Sequence, residues 1–150
     1  MDEYKFSIHK CDSRAELEAS EEGRMVILYG LGENILKRVG KIELGRALRI
    51  FIQDKNNRVV GGVSANAFGG WVYIELLWIK ESLRNMGYGT KLMEMLEQEA
   101  MQMGCKHAHL DTYSFEARPF YERLGYELFG TLENYPEGHC KYFLKKTLVQ

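Results

Sequence analysis

The sequence predicts an α+β fold, helices over a mixed and mostly antiparallel sheet, on three observations. A nearly continuous apolar run, Trp71 to Ile79, passes through a glycine-bearing loop into an amphipathic segment that stops at Gly104. Two further apolar runs precede it in hairpin succession, and one apolar run separates that amphipathic segment from the next helical one. At 150 residues and 45% hydrophobic, the chain has the length of one domain able to bury a real core.

Each element follows from local pattern. Tyr4, Phe6 and Ile8 alternate with Lys5, Ser7 and His9, which predicts a strand over Tyr4 to Lys10 with one wet face. Asp12-Ser13 supplies a helix cap, and the stretch through Lys37 reads as one or two helices broken near Gly30-Leu31-Gly32. Ala47 to Gln53 and Val59 to Ala65 are strands joined by Asp54-Lys55-Asn56-Asn57-Arg58, a turn composition, and Gly61-Gly62 inside the second predicts a bulge or a close backbone approach. The Trp71 run is rich in β-branched and aromatic residues, which predicts a strand buried on both faces and interrupted only by Glu75. From Gly87, Leu92, Leu96, Ala100 and Met103 mark the stripe of a helix. His107 to Thr112 is a strand, Phe115 to Leu124 a short helix, and Tyr126 to Leu132 and Cys140 to Leu148 are the last two strands. The strand–helix–strand unit around Gly87 makes its two strands parallel.

Leu83-Arg84-Asn85-Met86-Gly87-Tyr88-Gly89 lies between the Trp71 strand and its helix. Glycines at a helix mouth let backbone approach a ligand, and the unpaired N–H groups of the first turn form an anion site with the helix dipole. A phosphate or pyrophosphate is the expected ligand. A dinucleotide fingerprint needs a third glycine where this chain has Leu92, and a P-loop needs Lys-Ser/Thr after a longer loop; neither fits.

Composition excludes other classes. Twenty basic against twenty-one acidic residues, with no basic run beyond pairs, argue against nucleic acid or an anionic membrane as main partner. Met1-Asp-Glu-Tyr-Lys has no signal-peptide character and no apolar run reaches membrane-span length, so a cytoplasmic protein is expected. Three irregularly spaced cysteines read as reduced thiols. Cys105, His107, His109 and Asp111 alternate along one strand, too extended to converge on a metal, and read as packing or surface. Edge strands at Tyr4–Lys10 and Cys140–Leu148 would offer pairing surfaces for a homodimer.

Arg84-x-x-Gly87-x-Gly89 after an apolar strand resembles the acetyl-CoA signature of the GCN5-related N-acetyltransferases (GNAT). About thirty residues on, as a strand–helix–strand–helix crossover requires, Ala117, Phe120, Tyr121 and Gly125 match that family's second motif, Asn-x-x-Ala-x-x-Phe/Leu-Tyr-x-x-x-Gly-Phe, with Ser114 in place of its asparagine. The resemblance implies a single-domain GNAT-like fold over 1–150 with helices on both faces of the sheet. It also implies an acyltransferase that moves an acetyl group from acetyl-CoA to an amine by direct attack in a ternary complex. Carried over by position, backbone groups of Leu77, Trp78 and Ile79 would pair with the pantetheine as with an added strand. Backbone N–H groups of Arg84, Asn85, Met86, Gly87, Tyr88, Gly89 and Thr90 would hold the pyrophosphate, and the Ser114 hydroxyl would donate one bond to the cofactor arm. Tyr121 would stand near the thioester sulfur.

Attack by an amine needs a base and the leaving thiolate benefits from an acid. Glu75, mid-strand among apolar neighbours where desolvation would make a carboxylate more basic, is expected either as that base or as a carboxylate that binds the cationic substrate, with water relaying the proton. Tyr121 is the expected acid. Glu133, Tyr135 and Glu137 lie on the loop that in the family borders the acceptor cleft, and the acceptor is open between a small-molecule amine and a protein amine. A non-catalytic acyl-CoA sensor is the alternative; it would need the glycine loop but neither Glu75 nor Tyr121.

Overall fold

The computed structural model describes residues 4–40 and 45–148. The chain divides into two compact units, Met1–Ile42 and Glu43–Gln150.

The first unit carries α1, Arg14–Val39. Ser13 caps it: its Oγ accepts from the Glu16 N–H at 3.3 Å and donates to Glu16 Oε2 at 2.8 Å. Gly40 closes the other end, donating its N–H to the Leu36 carbonyl at 3.0 Å. The expected break at Gly30-Leu31-Gly32 does not occur, and the helix runs through it. Each interior glycine costs about 1 kcal/mol against alanine, less than a long helix capped at both ends and flanked by good formers can absorb. Residues 4–10 form no strand. Alternation describes a strand's two faces but supplies no ladder partner, and the six-stranded sheet is built entirely from later segments.

The second unit contains β1 Arg46–Gln53, β2 Val59–Phe68, β3 Trp71–Ile79, a 3₁₀ turn at Glu81–Leu83, α2 Tyr88–Gln102, β4 His107–Tyr113, α3 Arg118–Arg123, β5 Glu127–Glu133 and β6 Cys140–Thr147. The sheet order is β1-β2-β3-β4-β6-β5, antiparallel throughout except the β3–β4 pair. The α2 crossover therefore makes its flanking strands parallel, as expected. Cys140–Thr147 is an interior strand between β4 and β5, and β1 and β5 are the edges. The pairing surfaces proposed from sequence are thus absent from both segments named for them.

Turn chemistry sets the β1–β2 hairpin: Asp54 Oδ1 accepts from the N–H groups of Asn56 and Arg58 at 2.7 and 3.0 Å. The close approach expected at Gly61-Gly62 is present, since a Cβ on Gly62 would stand 2.6 Å from the Ile50 carbonyl oxygen.

The core lies between α2 and one sheet face. Leu92, Met93, Leu96 and Ala100 of α2 are buried with Val63 and Ala65 of β2, Val72 and Ile74 of β3, Ala108 and Leu110 of β4 and Leu144 of β6. Each large side chain sealed there is worth roughly 1.5–3 kcal/mol. A polar clamp fixes α2 against the far strands: Lys146 Nζ lies 2.8 and 3.1 Å from the Glu97 carboxylate, which also accepts from the Tyr126 hydroxyl at 3.0 Å. No helix among the described residues is long and apolar enough to cross a membrane.

Candidate active site

The site is built where β3 leaves its partner. β3 pairs with β4 only from Trp71 to Ile74, although β3 continues to Ile79 and β4 to Tyr113. The cause sits one residue further on. Against β2, Ser64 faces Leu76 and Ala65 faces Ile74, so Glu75 is the extra residue of a β-bulge. The bulge bends β3 and reverses its alternation. Val72 and Ile74 are buried before it, whereas Leu77 and Ile79 pack toward the core after it. Leu76 and Trp78 are left 68% and 54% exposed, so the expected burial on both faces fails here. Beyond Ile74 the β4-facing backbone of β3 is an unpaired edge opening onto a wedge between parallel strands.

The wedge leads to the N-terminus of α2. Gly87 stands at its N-cap with φ +85°, a conformation that L side chains rarely adopt, and a Cβ there would meet nothing within 4 Å. Gly89 answers a different need. A Cβ on it would lie 3.2 Å from Phe120 Cζ and 3.5 Å from Ile79 Cδ1, so helix mouth, strand end and α3 meet at this glycine. Among the described residues, the N–H groups of residues 85–90 take no backbone acceptor, whereas the Arg84 N–H is spent on the Glu81 carbonyl at 3.1 Å. The donor cradle therefore begins at Asn85 instead of Arg84. The Arg84 side chain folds back as well, its Nε donating to the Ile79 carbonyl at 3.0 Å, which ties the loop to the strand end and occupies that carbonyl.

Tyr121 lies on α3, its ring buried against Phe120 and Tyr126 at centroid distances of 5.1 and 6.1 Å. Desolvation, with smaller contributions from Glu116 and Asp111, pushes its phenol up to about 12. Among the described residues its hydroxyl has no hydrogen-bond partner, and no buried side-chain polar atom there is left unpaired, so the hydroxyl reaches an accessible surface. A phenol held this way is a proton donor across the neutral range.

Ser114 is engaged within the protein. Its Oγ accepts from the Cys140 N–H at 3.0 Å and lies 3.4 Å from His139 Nδ1, while its own N–H donates to the Cys140 carbonyl at 2.8 Å. The residue joins the end of β4 to the start of β6, leaving at most its single O–H for a ligand.

Glu75 is exposed, so the apolar surroundings expected from its neighbours in sequence do not enclose it; the alternation set by buried Val72 and Ile74 puts it on the face opposite α2, with Tyr73. Asn66 Nδ2 donates to its Oε1 at 2.6 Å. On the same face the Tyr73 hydroxyl donates to Asp111 Oδ2 at 2.7 Å, and this bond, with burial behind it, pushes the Tyr73 phenol up to about 12. Lys141 Nζ stands 3.5 Å from the other Asp111 oxygen and 4.8 Å from the centre of the Tyr135 ring, so the β5–β6 loop reaches this cluster through Tyr135. A cleft of about 490 Å³ opens beside it, lined by Asn66, Phe68, Gly69, Trp71, Tyr73 and His109. Desolvation lowers the pKa of His109, with Asp111 partly opposing, which favours the neutral imidazole.

Asn66, Tyr73 and Lys141 were not singled out by sequence reasoning. Tyr73 hides in an apolar run, and only the parallel register that sets Trp71 and Tyr73 beside His107 and His109 gives those residues a shared role. The β4 alternation is packing in part: His107 stacks on Trp71 at 4.6 Å and His109 on Tyr73 at 4.8 Å. Cys11, Cys105 and Cys140 are free thiols, and burial pushes the Cys105 thiol up.

The splayed β3–β4 pair, the unspent N–H groups at the α2 N-terminus and the Tyr121 phenol are the groups on which a functional reading can be built. Comparison with known proteins shows the family. The acetyltransferase (GNAT) family profile matches residues 12–126. An acetyltransferase of Agrobacterium fabrum, Atu2258, is 37% identical over 101 residues, 67% of this chain and 74% of the relative. Blasticidin-S acetyltransferase of Streptomyces morookaense is 30% identical over 95 residues, 63% of this chain and 70% of the relative. A crystal structure from Agrobacterium tumefaciens assigned to the acetyltransferases superposes with a TM-score of 0.85 at 30% identity, covering 96% of this chain and 99% of the other. The chain belongs to the GNAT acetyltransferase family. It is an acetyltransferase with the α+β fold of that family, and acetyl-CoA is its co-substrate.

Proposed function

We propose that this chain transfers the acetyl group of acetyl-CoA to a primary amine by direct attack in a ternary complex, both units serving as parts of one N-acetyltransferase domain. The observation that carries the reading is the wedge: β3 loses β4 after Ile74, beside a bulged carboxylate and in front of the α2 N-terminus. An extended pantetheine fits there as a short additional strand, hydrogen-bonded to the free edge at Leu77 and to the N–H of Ile79, while the backbone groups of Trp78 between them face β2. N–H groups from Asn85 to Thr90 then face the pyrophosphate, where unpaired donors and the helix dipole favour negative charge.

The proton steps fall to two residues. Glu75, held by Asn66, takes a proton from the ammonium directly or through one water and leaves a neutral amine to attack the thioester carbonyl. A backbone N–H near Leu77 receives the developing oxyanion, since the Trp78 N–H faces β2. When the C–S bond breaks, Tyr121 gives its proton to the departing thiolate. Exposure of Glu75 suits a group that must exchange its proton with solvent after each turnover.

Amine-dependent thiol release from acetyl-CoA, followed over pH, tests this. The reading predicts turnover with at least one primary amine, and Glu75→Gln lowers kcat/KM by roughly 10²–10⁴ with an altered pH dependence. An unchanged pH–rate profile in that variant would withdraw Glu75 as base.

A further inference from the structure

Cross-strand register arranges the open face of the sheet into two rows. Phe68 of β2 pairs with Trp71 of β3, which pairs with His107 of β4; Asn66 pairs with Tyr73, which pairs with His109. The imidazoles stand nearly parallel to their neighbours, at interplanar angles of 26° for Trp71–His107 and 20° for Tyr73–His109. One face of each β3 ring is therefore filled by an imidazole from β4. The cleft of about 490 Å³ is lined by both β3 rings, by Asn66, Phe68 and Gly69 on the β2 side and by His109 on the β4 side. That volume falls within the roughly 300–1,000 Å³ of small-molecule sites.

The chemistry at its edges is specific. Two positions along β3 from Tyr73, the bulged Glu75 presents its carboxylate on the same face, tethered to the cleft through Asn66. Rows two residues apart on a strand are separated by about 7 Å, the reach from an aromatic ring to the nitrogen of a short alkylamine. Asp111 is taken by Tyr73 and Lys141, which leaves Glu75 as the carboxylate at this cleft without a cationic partner among the described residues.

We propose that the acetyl acceptor is a small primary amine carried on a planar aromatic or heteroaromatic ring. Its ring stacks on the free faces of Trp71 and Tyr73 and its ammonium is directed to Glu75. This rests on the acetyl-transfer reading and narrows its acceptor. The neutral state favoured at His109 suits such a cationic guest. A lysine side chain in a protein carries no ring and leaves the cleft unfilled.

The test compares three probes with the same ethylamine or alkylamine head: 2-phenylethylamine, the saturated and non-planar 2-cyclohexylethylamine, and a lysine-containing peptide without aromatic residues. Each is read twice with the full chain, as kcat/KM for thiol release from acetyl-CoA and as Kd by calorimetry in saturating coenzyme A. Aromatic pairing beyond plain burial favours the planar ring by roughly threefold to tenfold, in binding as in kcat/KM. Trp71→Ala erases that preference, whereas Trp71→Phe, which keeps a ring, retains it. A planar-to-saturated ratio below threefold, or a peptide that outcompetes both, overturns the assignment. Failure of every amine to turn over would count against transferase chemistry at these amines, while the calorimetric ratio still decides whether the cleft selects a planar ring.

Discussion

Removing the Tyr121 hydroxyl separates its chemical role from its structural one. In Tyr121→Phe the ring keeps its volume, so the contacts to Phe120 and Tyr126 survive and no cavity forms. The hydroxyl has no hydrogen-bond partner among the described residues, so no partner is orphaned by its loss. The stability change is accordingly small, within about 0.5 kcal/mol of wild type. The catalytic consequence is large by comparison. With its phenol pushed up to about 12, Tyr121 is protonated at neutral pH, and a positioned acid of this kind contributes roughly 10²–10⁴ to rate. The variant should therefore show a thermal midpoint close to wild type, near-native KM for acetyl-CoA, and kcat reduced by at least about 10². The assay is continuous thiol detection at saturating amine, with an amine-free control for the chain's own free cysteines. Turnover within about twofold of wild type would refute the acid assignment, since a factor that small is below what general acid catalysis supplies.

Two further perturbations act elsewhere in the molecule. Lys146→Met removes the cation from Glu97 at the mostly buried clamp between α2 and β6, leaving Tyr126 as that carboxylate's donor; urea denaturation should show a loss of about 1–3 kcal/mol with KM for acetyl-CoA unchanged. Tyr73 and Tyr121 are both pushed up to about 12, above the phenol value of about 10 in an unfolded chain, so the stability they carry is present below pH about 10 and drains as pH rises through about 12. Urea midpoints measured between pH about 8 and about 11.5 should fall across the upper part of that range, and less steeply in Tyr121→Phe; equal slopes would contradict the burial-driven shift.

What could be read from sequence was what is encoded locally. The Leu92–Leu96–Ala100 stripe reports a helix because helical periodicity is a property of the segment itself, and the Asp54 turn reports a hairpin because its side chain bonds its own backbone. The glycine loop was legible for the same reason, though the left-handed backbone at Gly87 was seen only in the structure. Features that depend on a partner were not legible. Residues 4–10 alternate like a strand, yet alternation names no neighbour to pair with. The Glu75 bulge is a mismatch between two strands, so nothing in Trp71–Ile79 alone announces it, and the burial inferred from apolar neighbours failed because Glu75 lies on the sheet face that α2 does not cover. Arg84 and Ser114 show the same limit: motif position drew attention to both, but bonds to Glu81, Ile79 and Cys140 decide which of their groups remain available to a ligand.

Calorimetric titration of the purified full chain with acetyl-CoA tests most directly whether the β3–β4 wedge and the α2 N-terminus form the cofactor site. A one-to-one isotherm is predicted, weakened at least about tenfold by Gly87→Glu, which sets a carboxylate against the pyrophosphate, and weakened less by Gly87→Asn, which tolerates the left-handed backbone without adding charge. No binding at millimolar acetyl-CoA, or equal binding by all three chains, would contradict the account.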